Sequence, residues 1–374
     1  MNFQSIHLMR KLLFNLHLYV ALIAGAFVIV LGITGAIMAF EPELDHLLHS
    51  RRSYVSPAGQ VRTLAELGEI VERNFPGHRI EGYVLSADPR ISWQVLLDDR
   101  AVFMNPYSGE VIAVYPFQRE FLDYVHQLHL RLLWQGRDSP GEKIIAWSGV
   151  AMLLLMLSGL YLWWPLKLFS IASGSTGRRW WLDLHAMAGI FSFIFLLLLS
   201  FTGVMIGFED RTEPLMYKLT GSQRSPQPKI PSPPQGGTPI GPDEALEIAA
   251  QAVPGAFPFG LFVPGPKGAY QVRLRFPEDR TPGGRSRVIV DQYTRQVLFA
   301  EGSRTAPAGS RLVTLNRAIH TGDIFGIPSK FLMSLASLMA ALQMVSGAVM
   351  WWKRLLAKRR VRGEERQREP VGIV

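Results

Sequence analysis

The sequence predicts an α-helical membrane protein with four transmembrane helices in two parallel, pseudo-symmetric repeats, plus two small α+β domains on one side of the membrane. Three observations carry this. Four apolar runs reach the roughly 20 residues that a bilayer crossing needs. The first and third align without a gap at an offset of 168: LHLYVALIAGAFVIVLGITGAIMAFE (Leu16–Glu41) over LHAMAGIFSFIFLLLLSFTGVMIGFE (Leu184–Glu209). The polar stretches after them also read alike, and similarity at a fixed offset is the mark of a repeat.

Residues 1–41 hold a basic N-terminus and the first span, about Leu12–Phe40. That run is too long for a signal-peptide core and has no small-residue cleavage pattern behind it, so it is expected to stay. Residues 42–122 read as a first outer domain, with a helical pattern at Thr63–Phe75, alternation at Ile91–Asp98 and the segment NPYSGEV at Asn105–Val111. Residues 123–165 carry a histidine segment and the second span, Ile144–Trp164; 166–180 form a loop; 181–209 hold the third span, Leu182–Phe208. Residues 210–314 repeat the outer domain behind a Pro/Gly-rich linker, Ser225–Pro242. Its helical pattern is Gly241–Val253, its alternating runs are Ala269–Phe276 and Ser286–Asp291, and DQYTRQV (Asp291–Val297) resembles NPYSGEV. Residues 315–352 hold the second histidine segment and the fourth span, Phe331–Trp352, and 353–374 form a basic tail.

Charge sets the direction. Arg10 and Lys11, then Lys167, Arg178 and Arg179, then Lys353, Arg354, Lys358, Arg359, Arg360 and Arg362 all fall on one side, which the positive-inside rule makes cytoplasmic. Both termini are then expected inside the inner membrane of a bacterium, with lipid around the spans and both outer domains in the periplasm. The same bias accounts for the net charge of +9 with no appeal to nucleic acid. Hydrophobic residues make up 48% and mean hydropathy is +0.15, as membrane segments require. Cysteine is absent, which excludes disulfides, thiolate chemistry and cysteine-ligated iron–sulfur or zinc centres. No Walker motif or glycine-rich dinucleotide turn occurs, so NAD(P)H would need another protein to carry it.

Of nine histidines, His17 and His185 are repeat partners near the cytoplasmic ends of long spans. DYVHQLHLRLLWQGRDSPG (Asp123–Gly141) resembles LNRAIHTGDIFGIPSK (Leu315–Lys330) and pairs His129 with His320 and His126 with Arg317. His7, His46, His49 and His78 have no such partner. The result is two symmetric histidine pairs, one per membrane face, and ionisable groups inside a bilayer are costly and usually functional. Two neutral imidazoles can ligate one metal, and bis-imidazole ligation is a way helical bundles hold b-type haem. Glycines would let a flat ring approach the backbone, with Gly25, Gly32, Gly35, Gly189 and Gly203 as candidates; Arg10, Lys11, Arg178 and Arg179 could meet haem propionates. The competing explanation is that each histidine bonds a neighbouring helix and each basic pair only sets topology.

The set LH…GITG…FE, NPYSGEV, H-x-x-H and SGLYLWWP, repeated as DLH, FTGVMIGFE, IH-TGDIFG and SGAVMWWK, resembles the PepSY-associated transmembrane family of iron-regulated membrane proteins over about Arg10 to Arg354. The resemblance implies PepSY-like outer domains, two b-type haems and, in some members, ferric-siderophore reduction in the periplasm. Carried over by position, His17 and His185 would ligate the cytoplasmic haem, and His129 and His320 the periplasmic one, with His126 as a substitute. The expected function is a transmembrane electron conduit, an oxidoreductase fed by a cytoplasmic reductase or quinol and discharging to a ferric siderophore. Arg273, Arg275, Tyr270 and Phe276 would suit an anionic chelate. The rival reading is a haem-free, membrane-anchored regulator or sensor that binds or inhibits peptidases; a transporter is a third.

Overall fold

A computed structural model of the chain describes residues 3–234, 237–281 and 283–368. Residues 369–374, the end of the expected basic tail, lie outside the described residues. In chain order the elements are α1 (Phe3–Met38), α2 (Glu41–Leu48), α3 (Ser50–Ser53), α4 (Leu64–Asn74), β1 (Ile80–Val84), β2 (Trp93–Leu97), β3 (Arg100–Met104), β4 (Val111–Pro116), α5 (Phe121–Arg131) and α6 (Pro140–Trp163). Then follow α7 (Gly177–Gly207), α8 (Glu209–Leu219), α9 (Pro242–Ala252), β5 (Phe257–Phe262), β6 (Ala269–Arg275), β7 (Ser286–Asp291), β8 (Val297–Glu301), α10 (Ala308–Thr321), a 3₁₀ turn (Asp323–Phe325) and α11 (Ile327–Arg368).

Helices α1, α6, α7 and α11 are long and apolar enough to cross a membrane. Each outruns its apolar run, because polar end residues keep helical backbone once the helix is nucleated. Thus α11 continues into the basic tail, whose Leu, Ala, Lys and Arg are good helix formers. The four pack as a closed ring, α1–α6–α7–α11, with the diagonal pairs not packed on each other. Small residues allow the closest approach: a Cβ on Gly32 would meet the Ser337 carbonyl oxygen of α11 at 2.5 Å. Between the helix ends lies an apolar core of Ala24, Val28, Met152, Leu155, Met156, Leu196, Ala336, Ala340 and Met344.

The two long polar segments leave and re-enter the bundle at the same end. Each supplies four strands and, among its shorter helices, one that packs on them, α4 or α9. In α4, Leu64, Leu67 and Val71 fall on one buried face, and Thr63 and Glu66 close a capping box. In β6, Tyr270, Val272 and Leu274 point in while Gln271, Arg273 and Arg275 point out. Asn105 Oδ1 accepts from the Tyr107 and Ser108 amides, and Asp291 Oδ1 from those of Tyr293 and Thr294, so the segments NPYSGEV and DQYTRQV make the same Asx turn.

The sequence suggests two separate outer domains; the chain instead joins them into one antiparallel sheet, ordered β4-β3-β2-β1-β5-β6-β7-β8. Strands β1 and β5 meet at its centre, Tyr83 opposite Leu261. Their side chains share a single core, from Leu67, Val71 and Val102 to Ala249, Val272 and Val288. The reason is physical. A four-stranded half-sheet would expose the unpaired backbone of β1 or β5, and each such edge satisfies the other. Asp243 on α9 reinforces the join by accepting from the Leu64 and Ala65 amides at the start of α4, at 2.7 and 2.9 Å.

Candidate functional site

The histidines collect in two layers at opposite ends of the bundle. At the end away from the sheet, His17 on α1 and His185 on α7 face each other across the ring diagonal, with ring centres 6.3 Å apart and planes at 86°. At the sheet end, His129 on α5 lies against α1 and His320 on α10 lies against α7. Thr34, the contact of His129, is 17 positions beyond His17 on α1, so the layers are about 25 Å apart along the helix axis.

Each of the four rings meets the same kind of socket. His17 Nδ1 is 2.9 Å from Ser158 Oγ, and His185 Nδ1 is 2.8 Å from Ser346 Oγ. His129 Nδ1 is 2.8 Å from Thr34 Oγ1, and His320 Nδ1 is 3.0 Å from Thr202 Oγ1. A hydroxyl has one proton, and each of these hydroxyls donates it to a carbonyl of its own helix: Leu154, Gln343, Val30 and Leu198 respectively. With that proton on the carbonyl, the hydroxyl accepts from the ring, the imidazole proton sits on Nδ1 and the lone pair is on Nε2. All four rings present the nitrogen that a metal would take, oriented by a bond on the other side.

A glycine follows each hydroxyl residue. A Cβ on Gly35 would lie 3.1 Å from His129 Cε1, one on Gly203 3.1 Å from His320 Cε1, and one on Gly159 3.3 Å from His17 Cε1. Gly347 leaves slightly more room, 3.7 Å to His185 Cε1. Of the five glycines singled out in the sequence, Gly35 and Gly203 thus serve the rings. Gly32 packs α1 on α11, Gly25 faces Met344 and Gly189 faces Gln343. Gly159 and Gly347 are the ones sequence reasoning passed over, although the repeated Ser-Gly pairs Ser158-Gly159 and Ser346-Gly347 were the available signal.

The 6.3 Å separation of His17 and His185 is a usable test of fit. Two imidazoles sharing a metal at about 2 Å per bond, with a ring radius added on each side, have centres about 6 Å apart. At the sheet end, burial first, then the charges of His320 and His126, lowers the His129 pKa; burial and then Arg317 lower that of His320. Both rings are therefore neutral near pH 7, the state that ligates. The tail-end pair thus meets the spacing for a shared metal, and the sheet-end pair the protonation state.

His126 does not join the pair. Its Nδ1 bonds the Glu41 carboxylate at 3.0 Å, at the mouth of the bundle. Its counterpart Arg317 reaches Glu209, the repeat partner of Glu41, at 3.7 Å. The His/Arg mismatch therefore preserves a cation–carboxylate contact in each half, and His126 differs from the other four rings in having a carboxylate rather than a hydroxyl at Nδ1. Arg10 and Arg178 each precede a layer histidine by seven positions, two turns on the same helical face. Arg10 is half-buried and Arg178 exposed. Arg179 is taken by the buried Asp183, 2.8 Å away. Tyr270 and Phe276 belong to the sheet core, Tyr270 donating to the Ile240 carbonyl, because their positions fall on the inward face of β6 and its continuation. Arg273 stands on the opposite face.

The family model of the PepSY-associated TM region matches residues 14–354. No curated protein matches the chain. The match takes in both histidine layers, the whole sheet, α6 and α7, and the greater part of α1 and α11, and on that extent the chain belongs to the PepSY-associated transmembrane family.

Proposed function

We propose that the chain carries electrons across a bacterial inner membrane through two b-type haems, one between His17 and His185 and one between His129 and His320, to a ferric siderophore in the periplasm. The observation that carries this is the fourfold socket: Nδ1 held by a hydroxyl whose own proton is spent, Nε2 left for a ligand bond, and a glycine against the ring. Four structural histidines would have no need of a common tautomer. Haem, when bound, supplies a one-electron centre whose potential follows its axial ligands and surroundings.

The chain's residues do the rest. The hydroxyls hold the ring orientation and keep the Nδ1 proton, and the glycines leave space beside each ring. Met152, Met156, Leu196 and Met344 keep water out of the interval between the layers. Arg10 and Arg178 are the cations on the ligand faces nearest the tail end, suited to propionates. The sheet side is periplasmic and the basic tail cytoplasmic, by the charge bias. The donor is a cytoplasmic reductase or quinol. At the sheet end the acceptor is a ferric chelate, whose hard oxygen ligands hold ferrous iron far more weakly. The two halves act as repeats about an axis along the membrane normal, each giving one ligand to each pair.

The test is the absorption spectrum of the detergent-purified chain, oxidised and dithionite-reduced, with pyridine haemochrome quantification. The expected result is a bis-histidine b-type spectrum at about two haems per chain, with about one lost in each of His17→Ala and His129→Ala. A folded chain, made with ample haem, that shows no Soret band overturns the reading and leaves the sheet as the functional part, as in the regulator alternative.

A further inference from the structure

The two halves of the sheet differ at one place. Aligning NPYSGEV with DQYTRQV matches the cross-strand row Leu96–Ala101–Tyr115 with the row Arg273–Arg287–Glu301. In the first half this apolar row is covered. Arg52 lies over the Tyr115 ring at 3.9 Å and is held by Glu120 and Asp45, so nothing can enter. In the second half the row is charged and opens on a cavity of about 520 Å³ between the sheet, α8 and α10. The hairpin that bounds it is also enlarged: residues 276–285 join β6 to β7, where residues 98 and 99 suffice between β2 and β3.

The cavity is short of negative charge where its arginines gather. Arg273 and Arg287 sit directly opposite each other across β6 and β7, a like-charge pairing that costs stability. Arg273 stacks on Phe262 at 4.9 Å, and Arg287 stacks on Phe299 at 4.7 Å and donates to Gln227 at 3.3 Å, contacts that leave the net charge uncompensated. Arg285 joins them from the hairpin, open to solvent inside the cavity. Among the described residues no carboxylate stands within 4.0 Å of these three guanidiniums; Glu301 instead accepts from Ser225 and Ser310. Although its tip reaches solvent, the surrounding cavity wall and then the Arg317 charge lower the Arg285 pKa; Glu209 opposes, and Arg273 adds a smaller lowering. Two buried polar atoms in the lining lack partners, Thr281 Oγ1 and Arg317 Nε. Arg317 also ties the cavity to the sheet-end layer, being one turn before His320 on α10.

We infer that this cavity seats an anionic ferric chelate, of the catecholate or carboxylate class, on Arg273, Arg285, Arg287 and Arg317. This rests on the proposed reduction for why a chelate is the anion, since the cavity stands beside the ring that would discharge to it. The volume is in the range of small-molecule sites, and fixed guanidiniums match paired oxygens of such ligands.

The test is isothermal titration of the full-length chain in detergent with the redox-inert gallium(III) tris-catecholate, which is trianionic, and with neutral gallium(III) trihydroxamate. The expected result is saturable binding of the tris-catecholate, at least about tenfold weaker in Arg285→Glu and in Arg287→Glu, and retained within about threefold in Arg285→Lys. The neutral complex is expected to bind at least about tenfold more weakly than the anionic one. Unfolding temperatures equal to wild type certify the variants. The inference is overturned by equal binding of the neutral complex, by charge-reversal variants that bind like wild type, by no saturable binding, or by inorganic phosphate binding as tightly as the chelate. Gallium is not reduced and haem takes no part in the readout. A missing Soret band therefore sinks the conduit alone, and a failed titration sinks the cavity alone.

Discussion

At the scale of single residues, the hydroxyl sockets are where the proposed ligand role can be tested. Removing the Ser158 hydroxyl leaves His17 free to turn and to move its proton. Ser158→Ala should therefore weaken haem retention at the tail-end site about 10–100-fold, with the sheet-end site untouched. Haem transfer to apomyoglobin measures this, and equal loss rates in wild type and variant would refute it. Ser158→Thr keeps the hydroxyl and should recover most of the retention.

His126 gives a pH-dependent counterpart. Its bond to Glu41 raises its pKa; burial opposes, the charges of Glu41 and Asp123 add, and Arg131 subtracts. Raised means above 6.5 in the folded chain. The His126–Glu41 pair thus contributes fully below the unfolded value of 6.5 and is lost as pH rises through the higher folded one. Histidine NMR should show a midpoint above 6.5 that falls in Glu41→Gln; an unmoved midpoint rejects the coupling. His126→Arg, which copies the other half, should flatten the stability change near neutrality, since a guanidinium does not titrate there.

At this scale the sequence was half legible. The repeated Thr-Gly and Ser-Gly dipeptides were visible, and so were the histidines. Their pairing was not, because Ser158 meets His17 across 141 positions and Thr34 meets His129 across 95. No local periodicity reports a contact of that length.

At the scale of elements, the sheet join depends on a helix cap supplied by the other half. Asp243→Ala removes the acceptor of the Leu64 and Ala65 amides, leaves the Thr63 cap in place and should cost about 1 kcal/mol, read by thermal or denaturant unfolding. The matched Asx turns make an opposite prediction. Gly109 has φ +77° and Arg295, at the same place in the second turn, has φ +66°. Left-handed backbone is unfavourable for any residue with a Cβ, so Arg295→Gly should stabilise by about 1 kcal/mol. The Glu244 ion pair that it forfeits is exposed and contributes little. The strands themselves were readable from alternation, but the β1–β5 junction was not. Edge pairing is decided by which backbone is left unsatisfied after each half has folded, and side-chain pattern carries no record of it.

For the whole molecule, the charge bias makes a claim about sides that the missing cysteines render easy to test. Single cysteines at the exposed Ser108 and Ala357 would be the only thiols present. In intact spheroplasts a membrane-impermeant maleimide should label position 108 and spare position 357 until the cells are lysed. The reverse pattern would invert the molecule and the direction of any electron flow.

The placement of His17 and His129 in the first half and of His185 and His320 in the second also bears on stoichiometry. Neither half of the chain owns both histidines of a layer or the whole sheet, and the acceptor of the Leu64 and Ala65 amides in the first half is Asp243 of the second. On the proposed haem ligation, two polypeptides cut within the connector 164–176 should retain the cofactor only together, as subunits of an obligate heterodimer. The connector's contribution is local concentration, of millimolar order for a short tether, which turns a bimolecular assembly in lipid into a step that needs no encounter.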